Sequence, residues 1–552
     1  LTLSLVAILA LSTGNVDGQP IRAKATLVNS STTSVVATFK SPMPQFISVE
    51  TPRGAANVYF INGAGSMLNK GMPALPKLTK SIIVPSNAKV ELVITDSTYK
   101  DIPNVMVAPS KGNISRYDDP EKIPFVFGDV YQKNQFFPGH LAEAGNGYIL
   151  RKYNGLPIVV YPLQYNPFTK VLRVFSSITV EVRITSASSL TAMATQPQQP
   201  VNDGFRDIYA TQFLNYSETT SDRYTPLSDQ GTMLVVCSHD FMSAMQPFVD
   251  WKNQRGLKTV LVDFATIGTT ADQLKTYVSN YYHQNGLTFL LLVGDSPQIP
   301  SKQLPLITDT GTGYSDSFYG MIDGDDSYPE VIVGRFSAEN VAQVTTMVNR
   351  SISYEKKMGE DATWLSSGVG IASAEGGAQG DNGESDALHM ENIRSKLKAF
   401  GYTPVTQLYD PGASKATLIS RINDGTGIIN YVGHGADTYW VTTGFGSNDM
   451  SSLTNTNRWP FIFDVACVNG NFVGQTCFAE AFSRASTANG PTGTVDMVAS
   501  TINQSWAPPM DGQDEMVNIL TESYSDNIRR TYGGIVVNGC MAMNDKYGSD
   551  GD

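Results

Sequence analysis

From about residue 19 to 214, apolar and polar positions alternate with a period near two or gather in short β-branched runs. The clearest are 33–39, 80–84, 89–93 and 176–184, separated by Pro, Gly and Asn turns. Helical spacing is scarce here, so the pattern predicts a β-sandwich. Residues 215–223, NYSETTSDR, are polar without a period and read as an exposed linker. Beyond Tyr224 the pattern changes. Continuous apolar runs at 233–237, 258–263, 287–293, 331–336, 368–374, 428–432, 461–466 and 495–500 alternate with helical spacing, notably over 241–255, 341–357 and 384–400. Buried runs separated by helices predict a parallel sheet covered on both faces. Ligands of such sheets gather at the carboxyl ends of the strands.

Composition sharpens this only slightly. The chain has 552 residues, enough for two or three packed domains. Its net charge of −12 argues against a nucleic-acid surface and favours cationic ligands. Residues 1–11, LTLSLVAILAL, are apolar but too short to span a bilayer. With the small and polar residues that follow, they read as a signal peptide over 1–18, trimmed at its start. No later run suits a membrane helix, so export is expected. Four cysteines, Cys237, Cys467, Cys477 and Cys540, form neither a disulfide framework nor a CxxC zinc pattern.

Two predicted strand ends carry chemistry. IINYVGHGAD places His434 between Gly433 and Gly435, and FIFDVACVNG delivers Cys467 into a turn. A thiol nucleophile needs a base within reach and amide donors for the oxyanion. Neighbouring strands ending in His434 and Cys467 can supply both, with the Gly435 and Cys467 amides as donors. At a third strand end, Glu375 and the QGDNGESD stretch closing at Asp386 precede a helix. Acidic residues there can cap the helix, orient a histidine or pair with a cationic substrate.

At these positions the chain resembles the gingipains, in particular their arginine-specific branch. The strings FVDWKNQRG, LLVGD, IASAEGG, DNGESD, NYVGHG, PFIFDVACVNG, CFAEA, ASTINQSWA and GQDEM carry the resemblance and fall in family order. APSKGNISR, FFPG and PLQYNP extend it to the family's inhibitory prodomain. The resemblance implies an α/β caspase-like catalytic domain over 224–552, with a mainly parallel sheet, preceded by an all-β sandwich prodomain over 19–223. It implies a bacterial enzyme, secreted or at the cell surface, that cleaves proteins and peptides after arginine.

By the same resemblance, Cys467 would be the nucleophile, His434 the base and Glu375 its carboxylate partner. Gly435 and Cys467 would hold the oxyanion. Asp386 would take the substrate guanidinium in a two-pronged contact, with Trp506 over its aliphatic stem and Gln504 in the same substrate-binding segment. Arg116 would fill that pocket in the precursor, and cleavage between Arg223 and Tyr224 would release the prodomain. A structural calcium would lie on Asp295, Asp326, the Tyr328 carbonyl and Glu330.

Departures from the family pattern are HGAD for HGSE, CVNGNF for CVNGDF and the SWAPPMDGQ stretch, which bear on subsites beyond the arginine pocket. By the same resemblance, Asp552 is expected to fall before the strand that usually completes the catalytic domain and before the family's later modules. Three alternatives are a lysine-preferring or broader peptidase, a non-catalytic adhesin on the same fold, and a sandwich that is itself the active part.

Overall fold

The computed structural model describes residues 21–186, 203–217, 231–306, 312–356, 361–524, 527–528 and 531–548. The expected leader, Arg223 and Tyr224 lie outside them.

In the N-terminal region the alternating pattern becomes two antiparallel sheets, each of five strands. One is organised on the long strand Val171–Ser186, which pairs with Lys89–Ile102 along one side and with Ser34–Lys40 and Leu163–Asn166 on the other. The second centres on Tyr153–Val160, paired with Pro76–Val84. Val35, Ala37 and Phe39 point inward from alternate positions and meet Ile178, Val180 and Val182 of the first sheet, and Ile82, Ile158 and Val160 of the second. Each fully buried Val, Ile or Phe contributes about 1.5–3 kcal/mol, so the sandwich is held by this shared interior.

A helix that the strand pattern did not announce, Asp203–Gln212, closes the region. Phe205, Ile208 and Tyr209, spaced for one helical face, pack on Tyr148 and Leu150 and on Tyr328, Ile332 and Met541 of the C-terminal region.

The C-terminal region has the expected parallel strands, divided between two sheets rather than joined in one. Their orders are Lys258–Asp263, Thr232–Cys237, Phe289–Val293, Ile332–Phe336, and Val405–Tyr409, Gly368–Ala372, Ile428–Val432, Phe461–Val465, Asp496–Val498. The edge strands Ile332–Phe336 and Asp496–Val498 line a cavity of about 1790 Å³ instead of pairing. Apolar periodicity marks strands but not which strands are neighbours, so one sheet and two look alike in sequence.

The second sheet positions the site. Ile429 and Tyr431 face Trp440, Phe445, Phe478 and Phe482 on one side, while Ile428 and Val432 face Met390, Ile393 and Met510 on the other. With both faces covered, the strand ends that carry His434 and Cys467 are fixed side by side by the ladder joining Val432 to Val465.

Candidate active site

Close backbone approach explains the glycine after His434. A carbon added to Gly435 would stand 2.2 Å from the Cys467 carbonyl oxygen and 3.0 Å from its amide nitrogen. Only glycine lets the two turns meet this way. Asn469 reinforces the junction by donating from Nδ2 to the Ala436 carbonyl at 2.5 Å and the Tyr439 carbonyl at 3.2 Å. Val468 holds a φ of 51° in the turn itself.

Cys467 is buried, and burial pushes its thiol above the ordinary range. The backbone amides of Gln504 and Gly435 and the charge of Arg116 act in the opposite direction without cancelling it. His434 is anchored from the other side, with Nε2 2.7 Å from Glu375 Oε2. The ring also meets Trp506 edge to face at 6.0 Å. Among the described residues no hydrogen bond joins the Cys467 thiol to the His434 ring.

Asp386 opens the helix Asp386–Phe400, and Ser385 caps that helix by accepting from the Leu388 amide. The helix N-terminus favours a carboxylate there. Its side chain is fully buried, accepts from Ser373 Oγ at 2.7 Å, and faces Arg116. Arg116 Nη1 donates to Asp386 Oδ1 at 3.0 Å and Oδ2 at 3.1 Å. One nitrogen therefore serves both oxygens, in place of the expected fork of two. Nε and Nη2 find no partner among the described residues. The guanidinium carbon lies 4.4 Å from the Trp506 ring centre.

The backbone around Arg116 is held like an added strand. Its amide donates to the Gln504 carbonyl at 2.7 Å, the Trp506 amide donates to the Ile114 carbonyl at 3.2 Å, and Ser115 bridges antiparallel to Ser505. Gly376, at φ 89°, forms the facing wall: a side chain there would strike Trp506 at 2.6 Å. Cys467, His434, Glu375, Asp386, Trp506, Gln504 and Arg116 thus meet in one place.

Sequence reasoning missed Ser373, which also accepts from the Glu375 amide at 3.1 Å and so ties two carboxylate-bearing positions together. Its signal was available: it is the first residue after the fully buried strand Gly368–Ala372, at a carboxyl end.

The residues expected to hold calcium do not fit a common ion. Asp295, Asp326 and Glu330 do not bring carboxylate oxygens within 4.8 Å of one another. Asp295 pairs with Arg484 at 3.1 Å. Asp326 accepts from the amides of Ile149 and Tyr328, and Glu330 from those of Arg151, Ile322 and Asp323. Two of these amides belong to the N-terminal region, where a hairpin occupies the acidic turn.

Comparison with known proteins gives this arrangement a family. Peptidase family C25 matches residues 227–551, and Propeptide_C25 matches 17–222. The chain belongs to peptidase family C25. It is 43% identical over 522 residues to Gingipain R1 of Porphyromonas gingivalis, a match covering 93% of this chain and 51% of that protein. The chain thus spans about half the length of that curated relative. Among solved structures, the Arg specific cysteine proteinase gingipain R (RGPB) is 45% identical at a TM-score of 0.57, covering 59% of this chain and 76% of that one. A complex of Porphyromonas gingivalis RgpB pro- and mature domains is 46% identical at a TM-score of 0.56, covering 58% and 76%. The C-terminal region of this C25 chain accordingly has the caspase-like fold of those structures, behind a β-rich propeptide region.

Proposed function

We propose that the chain is a latent cysteine endopeptidase that hydrolyses peptide bonds after arginine and is kept inactive by its own propeptide region. The observation that carries this reading is Arg116, seated between Asp386 and Trp506 with its backbone paired to Gln504. A substrate arginine would take the same place. Its guanidinium would pair with Asp386 and its aliphatic stem would lie along Trp506, while its backbone would run antiparallel to 504–506.

In the reaction, His434 takes the Cys467 proton and the thiolate attacks the carbonyl carbon after arginine. The amides of Gly435 and Cys467 stabilise the oxyanion. The imidazolium then gives its proton to the leaving amine, forming a thioester that water hydrolyses with His434 again as base. Glu375 holds the ring in its productive orientation and stabilises its charge. The buried, raised thiol of Cys467 belongs to the latent state, in which Arg116 excludes substrate.

Activation would follow cleavage between Arg223 and Tyr224 in the polar linker. Export by the leader at 1–18, to the bacterial exterior or surface, completes the proposal. No helix among the described residues is long and apolar enough to cross a membrane.

The test uses the full chain and a Cys467→Ala twin, with peptides that differ only in Arg, Lys or Asp before the scissile bond. Cleavage after Arg by the parent alone, read by mass, supports the proposal. Absence of cleavage by either, even after trypsin has cut the linker, overturns it.

A further inference from the structure

One turn along the helix from Asp386 lies His389, wholly buried and without a part in the reaction above. Its Nδ1 is 3.2 Å from Glu384 Oε2, and its Nε2 is 3.2 Å from Gln513 Oε1. Gln513 sits in Ala507–Leu520, the helix that begins directly after Trp506. Its Nε2 donates to the backbone carbonyls of Tyr431 and Phe463 at 3.2 and 3.3 Å, and to Asn430 Oδ1 at 3.3 Å. Tyr431 and Phe463 belong to the strands that end at His434 and Cys467. A continuous set of hydrogen bonds therefore runs from those two strands, through Gln513 and His389, to Glu384, two residues before Asp386.

The orientation of the Gln513 amide is set by its partners. Three acceptors surround Gln513 Nε2, so its amide cannot turn over without setting oxygen against oxygen. Its Oε1 therefore faces His389 and needs a donor there. Glu384, which also accepts from Asn392 Nδ2 at 2.7 Å, needs a second donor at Nδ1. A neutral imidazole has one N–H; both demands are met by an imidazolium.

We propose that His389, as a buried imidazolium, and Gln513 are positioning residues that hold the Glu384–Asp386 loop in register with the strands bearing His434 and Cys467. The proposal rests on the reading of Asp386 as the arginine-binding carboxylate.

The surroundings support a charged ring. Burial alone disfavours it, but the Glu384 bond and the fields of Asp514, Glu384 and Asp381 outweigh that effect, so the ring titrates above the ordinary histidine value. Asp514 lies on the Gln513 helix and is shared with Lys396 of the His389 helix at 2.9 Å. With the ring neutral, either the partly exposed Glu384 or the buried Gln513 would lose its donor, and a partly satisfied network loosens.

Two measurements test this. The first is ¹⁵N NMR of the five histidines in the full chain, which is needed regardless of activity. Both His389 ring nitrogens should remain protonated at pH 7; a neutral ring there overturns the proposal. The second compares alkylation of Cys467 by an arginyl chloromethyl ketone and by iodoacetamide, after trypsin has cut the linker. His389→Gln should slow the arginyl reagent by about tenfold or more while leaving iodoacetamide within about twofold. Equal loss with both reagents would mean a general structural role and overturn the proposal, as would no loss with either. Gln513→Leu should repeat the pattern and serves where His389→Gln does not fold. Asp386→Asn is the control for the underlying reading. If it keeps the arginyl preference, that reading fails; if it loses the preference while His389→Gln keeps it, only the positioning proposal fails.

Discussion

Arg116 Nη1 lies 3.0 and 3.1 Å from the two carboxylate oxygens of Asp386, and neither side chain is exposed. Removing one member of a buried ion pair leaves the other uncompensated, at a cost of about 3–5 kcal/mol. Arg116→Ala should therefore weaken the propeptide's hold by about a hundredfold or more, and the full chain should hydrolyse an arginyl reporter before any linker cleavage. Because a single nitrogen makes both bonds, Arg116→Lys should retain part of the latency. Continuous assay of the two variants with uncut linker checks both expectations. Silence from Arg116→Ala would remove this pair as the basis of latency.

His434 and Glu375 form a second pair, but Glu375 keeps 52% of its side chain exposed. Solvent can replace part of what the carboxylate does, so its loss should be milder than in a buried triad. Glu375→Gln is expected to lower kcat of the released enzyme by about ten- to a hundredfold with little change in KM. Steady-state kinetics on one arginyl peptide decides this; a change confined to KM would make Glu375 a substrate contact instead.

The Cys467 thiol supplies a pH signature. Burial raises its pKa in the latent chain, so the neutral thiol dominates at pH 7 and the reactive thiolate grows as pH increases. Iodoacetamide should modify latent Cys467 slowly, at a rate rising about tenfold per pH unit from 6 to 8. Mass analysis of the alkylated peptide follows it. A flat profile over that range would indicate a preformed thiolate–imidazolium pair.

Calcium should leave the latent chain's thermal stability unchanged. A ligand that binds only the folded state raises its melting temperature, whereas Asp326 and Glu330 are already taken by backbone amides and Asp295 by Arg484. Melting curves with calcium and with a chelator should superimpose. A clear upward shift with calcium would show that the acidic turn can exchange its amides for the ion.

How far the sequence reached depended on the range of the interaction. The apolar runs at 428–432 and 461–466 placed His434 and Cys467 correctly at strand ends, because five consecutive buried residues have few other readings. The helix after Asp386 was also legible, though its start shifted from 384 to 386 where Ser385 takes the cap. Strand Val405–Tyr409 escaped notice: it is an outer strand with only Val405 and Leu408 fully buried, so its apolar signal is thin. The split into two sheets, the Ser373 bridge and the occupied acidic turn all depend on contacts between distant segments. Local pattern carries no record of such contacts. The pairing of Arg116 with Asp386 was accessible only through the family resemblance, since 270 positions separate the two residues.

Selection of arginine by Asp386 underlies the proposed function. The most direct measurement is the ratio of kcat/KM for two peptides differing only in Arg or Lys before the cleaved bond, taken for the released enzyme and for Asp386→Asn. The ratio should be about a hundred or more in the parent, because a flat guanidinium bonds the buried carboxylate while lying against Trp506 and an ammonium does so only in part. That ratio should collapse in the variant, with Cys467 still alkylated by iodoacetamide. An unchanged ratio in Asp386→Asn would rule out Asp386 as the residue that selects arginine.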